Sequence, residues 1–90
     1  MSPIKLEGIR IHHIIDSTKD YSTFAAAREH GSNKIRIFLV KDSGSVYAHT
    51  GQANTWEELV GSLADSIRYC ISRARQNVPV YRVNTAYATN

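Results

Sequence analysis

Apolar positions along this chain alternate between two spacings, one of two residues and one of three to four. The longest run is of the second kind. Trp56, Leu59, Val60, Leu63, Ala64, Ile67, Cys70, Ile71 and Ala74 predict an amphipathic helix from Thr55 to about Gln76. Its apolar residues span an arc of roughly 140°, and its length is about 33 Å. Thr55-Trp56-Glu57-Glu58 has the form of a capping box, in which hydroxyl and carboxylate satisfy the first amides reciprocally. Glu57 and Glu58 sit at the positive end of the helix dipole, and Arg73 and Arg75 near the negative end. Asn77 and Pro79 stop the helix. Gly61, Ser62, Asp65, Arg68, Ser72 and Gln76 form the opposite, polar side.

The two-residue spacing marks strands. Ile4 to Asp16 is one, with Ile4 and Leu6 on the parity opposite to Ile9, Ile11, His13 and Ile15; a bulge at Gly8 would correct the register. Lys34–Lys41 and Ser45–Thr50 predict a hairpin turning through Asp42-Ser43-Gly44-Ser45. Val78 to about Tyr87 predicts a last strand, and Ala88-Thr89-Asn90 a frayed tail. Between the first two strands, Ser22 as cap, Ala25-Ala26-Ala27 as helix formers and Gly31 as terminator predict a short helix over Tyr21 to His30. The resulting order is βαββαβ. It fits an α+β two-layer sandwich of ferredoxin-like topology, with a four-stranded, mostly antiparallel sheet and one long and one short helix on one face. If the short helix is a loop, the order becomes βββαβ.

Composition narrows the class. Ninety residues with 42% hydrophobic and 21% charged residues predict a single globular domain over 1–90. The lone Cys70, on the apolar stripe, allows no disulfide within the chain and predicts a reducing, cytoplasmic setting. No signal peptide and no membrane-length apolar run is read. The net charge of +3 permits contact with nucleic acid without requiring it.

The candidate chemistry is thin. His12 and His13 are adjacent, and on a regular strand they point to opposite faces; no Cys or His pair has zinc spacing. A nucleophile elbow, a dinucleotide fingerprint and a Walker loop are all missing. Asp16, Asp20, Glu29 and Asp42 fall in or near loops, where carboxylates are normally solvated. No catalytic, cofactor-binding or metal-binding residues are therefore assigned.

A binding surface is the better prospect. With Ile35, Ile37 and Leu39 directed inward, Arg36, Phe38 and Val40 point outward, joined by Tyr47, His49, Arg10 and His12. Such a face suits unpaired bases or a protein partner. On the helix, Arg68 and Arg75 lie within about 20° of one another and could contact phosphates or an acidic partner.

The predicted topology resembles that of the RNA-recognition-motif family. Gly44-Ser45-Val46-Tyr47-Ala48-His49 stands in the place of its third-strand motif, with Gly44 and Tyr47 matching and the paired aromatics missing. The stretch from Lys34 to Val80, with two strands, Thr55-x-Glu57-Glu58 opening a helix, and Pro79 before a strand, is similar to HicB-type antitoxins, without that family's Pro- and Gly-rich turn.

The expectation is a small non-enzymatic regulator or inhibitor that docks on a protein or nucleoprotein partner, as monomer or homodimer. The first alternative is an RNA or single-stranded DNA binding module using the open sheet face. The second is a small enzyme using His12 or His49.

Overall fold

The computed structural model describes residues 8–29, 31 and 33–87. They form β1 (Ile9–Ser17), β2 (Thr23–Glu29), β3 (Ile35–Val40), β4 (Val46–His49), β5 (Trp56–Leu59), α1 (Gly61–Ala74) and β6 (Val80–Val83). The strands make one six-stranded sheet in the order β5-β4-β3-β2-β1-β6. β1 to β5 run as an antiparallel meander, and β6 joins β1 in parallel at the far edge. A parallel partner needs a crossover connection, and α1 supplies it by passing over one face of the sheet. Its Ala64, Ile67 and Ile71 complete a core with Ile11, Ile14, Ala25, Ala27, Phe38, Val46, Ala48 and Leu59.

A bulge in β1 sets which residues reach that core. The register steps from Ile11↔Ala27 to His13↔Ala26, leaving His12 as the extra residue. Ile11 and Ile14, three apart, consequently both lie beneath α1, buried at 7% and 0% exposure. This bulge is at His12; the expected strand start at Ile4 and Leu6, whose register a bulge at Gly8 would correct, lies outside the described residues.

The ferredoxin-like expectation is wrong: among the described residues, six strands and a single helix replace four strands and two helices. Two local readings account for the difference. The segment read as a helix over Tyr21 to His30 is strand β2, flanked on both sides by ladders to β1 and β3; His30 lies outside the described residues. Alanine favours a helix by only a few tenths of a kcal/mol per residue. Two hydrogen-bonded neighbours and the burial of Ala25 and Ala27 outweigh that. The first turn of the predicted long helix is strand β5. Trp56-Glu57-Glu58-Leu59 pairs with β4, Val60 is extended, and Gly61 takes φ +64 before the helix begins. The helix begins after Val60 with no side-chain cap among the described residues, so the Thr55–Glu58 capping box does not form. At the other end, the Asn77 and Val78 amides both donate to the Ala74 carbonyl.

The face assignment on β3 is also inverted. Phe38, at 0% exposure, points into the core, and Arg36 shares its parity, bonded through Nε to Glu29 Oε1 at 3.1 Å. Ile35, Ile37 and Leu39 point away from α1. The predicted last strand ends at Val83, and the following residues turn back until Tyr87 packs on Phe24, ring centroids 5.4 Å apart.

Candidate binding face

The sheet face away from α1 carries one register row that crosses every strand. Tyr81 lies beside Ile15, Ile15 opposite Phe24, Phe24 opposite Leu39, Leu39 opposite Tyr47, and Tyr47 opposite Glu58. Directly opposed side chains on one face touch, so five apolar or aromatic residues form a band ending in a carboxylate. Leu39 is buried within the band; Ile15, Phe24 and Tyr47 are half-buried and Tyr81 is 54% exposed. A second row places His13 and Ile37 on either side of Ala26. His13 meets the Tyr81 ring edge-on at 6.2 Å, and Lys41 Nζ sits 4.9 Å above the Tyr47 ring. The Tyr87 amide donates to Asp20 Oδ2 at 2.9 Å and holds Tyr87 at the band's margin.

One corner of this face is basic. Arg10 and Arg28 are directly opposite across β1 and β2, both exposed, with Ile35 next to Arg28 on β3. Neither arginine has a carboxylate partner among the described residues.

The eight predicted site residues divide between the two sides of the sheet. Arg10, Tyr47 and His49 lie away from α1. His49 packs edge-on against Trp56 at 5.0 Å, and its Nδ1 accepts the Gly51 amide at 3.0 Å. His12 is the unpaired residue of the bulge, and its buried Nε2 has no hydrogen-bond partner among the described residues. Phe38 is core and Arg36 is paired with Glu29 on the helix side, so neither joins the face where the sequence placed it. Arg68 donates to the Gly44 carbonyl at 2.7 Å and pairs with Asp65. Arg75 grips Asp16 through both terminal nitrogens, at 2.7 and 2.8 Å, and donates to the Thr23 hydroxyl at 3.2 Å. That fork holds the Asp16 carboxyl below the ordinary carboxylate range and raises Arg75. Both helix arginines therefore tie α1 to the sheet and its turns.

Where β3 and β4 diverge beyond the Phe38↔Ala48 pair, a cleft of about 390 Å³ opens among Glu29, Lys34, Ile37, His49, Thr50 and Gly51. Among the described residues no three His, Cys, Asp or Glu side chains gather as for a metal ion, and no helix is long and apolar enough to cross a membrane.

The main members of the band that sequence reasoning missed are Ile15, Phe24, Leu39 and Tyr81. Phe24 was hidden by the helix reading of the alanine run. Leu39 was hidden by the inverted parity. The signal that could have found them is the matching apolar parity of Ile15, Ile37 and Leu39 once Phe24 is placed on a strand. No family model matches the chain, and no curated protein and no solved structure is significantly similar to it.

Proposed function

We propose that this protein is a non-enzymatic regulator or inhibitor that docks on a protein partner through the sheet face away from α1. The observation that supports this reading is the five-residue band Tyr81–Ile15–Phe24–Leu39–Tyr47. It has the composition of an interface centre, aromatic at its middle and both ends with aliphatic residues between. Charges stand at its margin: Glu58 beside Tyr47, and Arg10 with Arg28 toward the opposite corner. That is the arrangement of apolar centre and polar rim that excludes water and sets orientation. The test is affinity capture followed by reconstitution with the purified partner. Tyr47→Ala and Arg28→Glu should each weaken that complex by about tenfold or more, while Ser72→Ala on the outer side of α1 leaves it unchanged. Equal loss in all three, or in none, would overturn the reading.

A second reading, binding of single-stranded RNA or DNA, is favoured by the opposed Arg10 and Arg28 on the same face as Tyr47 and Tyr81. Guanidinium groups would hold phosphates while the tyrosines stack bases. A salt series with fluorescent single strands separates the two. Binding that falls steeply with salt and weakens in Arg28→Glu supports the nucleic-acid reading; no binding at low salt removes it.

A further inference from the structure

The two edges of the sheet are built differently. The β5 edge presents Glu57 and Glu58, both exposed, and negative charge along an edge discourages another strand from pairing there. The β6 edge, Val80-Tyr81-Arg82-Val83, has no internal proline, no lysine and no bulge, and Val80 and Tyr81 are 38% and 54% exposed.

The backbone of β6 is ready to pair. The Ile14 amide donates to the Pro79 carbonyl at 3.0 Å, and the Thr18 amide to the Val83 carbonyl at 2.8 Å. Backbone groups alternate along a strand, so Pro79, Tyr81 and Val83 turn toward β1. Val80 and Arg82 then direct their N–H and C=O groups away from the sheet. Among the described residues nothing after β6 covers this edge, because Tyr87 lies back over Phe24, two strands inward.

We infer that β6 pairs antiparallel with β6 of a second copy of this chain, about a two-fold axis at Tyr81. The register follows by comparing the symmetric choices. An axis at Arg82 sets two arginines directly opposite. An axis at Val80 brings Arg82 against Val78 of the copy, whose amide is already bonded to Ala74. With the axis at Tyr81, Val80 faces Arg82 of the copy on both sides, and the four outward groups of each strand make four hydrogen bonds. Tyr81 then meets its own copy in a non-hydrogen-bonded pair, where Cα atoms stand about 4.5 Å apart and aromatic rings pack well. The Tyr81 row of one sheet continues without a break into that of the next. The band described above becomes a continuous apolar track across ten strands, with Glu58 of each copy at its two ends. A four-residue edge makes a small interface, so the dimer is expected to form in the micromolar range or above.

Sedimentation of the full chain from micromolar to millimolar concentration should show the mass rising to a dimer. Arg82→Pro removes an outward amide and no ladder bond; it should abolish the dimer with an unchanged circular dichroism spectrum. Tyr81→Lys places two like charges at the axis and should do the same by an independent route. In a Cys70→Ala background, Tyr81→Cys should form an intermolecular disulfide about tenfold faster than Glu57→Cys on the opposite edge, since only the first pair comes within disulfide reach. A wild-type mass that stays monomeric to millimolar concentration, or equal cross-linking rates at positions 81 and 57, would overturn the inference. The docking function does not depend on it: Arg82→Pro, outside the band, tests the dimer alone, whereas Tyr47→Ala tests the face.

Discussion

Arg10 and Arg28 stand directly opposite each other on neighbouring antiparallel strands, exposed and with no carboxylate partner among the described residues. Like charges so placed cost a few tenths of a kcal/mol or more. A fold under selection for stability alone would gain by replacing one of them. Arg28→Glu converts the repulsion into a cross-strand ion pair and should raise stability by about 0.5 kcal/mol, seen as a higher urea midpoint. The same change should weaken any partner that offers negative charge to this corner. A stabilised variant with intact binding would mean that the pair serves no partner.

The fork between Arg75 and Asp16 joins the end of α1 to β1. Asp16 has its folded pKa lowered, chiefly by the bond from Arg75, with Thr23 assisting against partial desolvation. The sign follows from linkage. The contribution is fully present above the unfolded value near 3.9 and is lost as pH falls through the lower folded value. Arg75→Met should cost about 1 kcal/mol at neutral pH, because both groups remain partly exposed to solvent. The wild-type advantage over the variant should shrink progressively below about pH 4. Urea unfolding of both proteins at neutral and acid pH checks this; a constant difference down to pH 2 would show that the fork contributes by packing alone.

How much of this was legible beforehand depends on the residue. Ala64, Ile67 and Ile71 were placed on the buried side of a helix, because a three-and-four period sustained over several turns has no strand equivalent. Trp56 and Leu59 continue that period by coincidence. What separates them is Gly61, whose φ of +64 turns the chain between β5 and α1. Periodicity counts apolar residues and does not see such a corner. Phe38 and Leu39 show a second limit. Both are nearly fully buried, one beneath α1 and one within the opposite band. When both parities of a strand are apolar, alternation cannot say which side holds the helix. The alanines of β2 show a third, since their local preference is weaker than the two ladders that hold them. On the face itself, Tyr47, His49 and Arg10 were found from strand parity, while Phe24 required knowing that β2 is a strand.

The inverted parity of β3 has a direct consequence for mutagenesis. Phe38→Ala would be an obvious choice for a binding-defective variant, yet it empties the centre of the core. It should cost about 3–5 kcal/mol, enough to unfold much of a small domain, and any lost binding would be misread. Phe38→Leu should cost about 1 kcal/mol and leave partner affinity unchanged. Tyr47→Ala removes a half-buried ring beside Lys41. It should cost about 1 kcal/mol or less of stability while weakening binding. Thermal melts alongside partner titrations separate these; a stable Phe38→Ala would contradict its place beneath α1.

Gly61 offers the sharpest test of where α1 begins. A Cβ built there meets nothing within 4 Å beyond its immediate neighbours in the chain, so a substitution is opposed by backbone conformation alone. At φ +64 an alanine side chain crowds its own following carbonyl, at a cost of about 1–2 kcal/mol. Asparagine tolerates this region better and should cost roughly half as much. If the helix instead began at Thr55, Gly61 would be an exposed interior helix position. Alanine there would then stabilise by up to about 1 kcal/mol. The two placements thus predict opposite signs for Gly61→Ala, and one pair of urea unfolding curves decides between them.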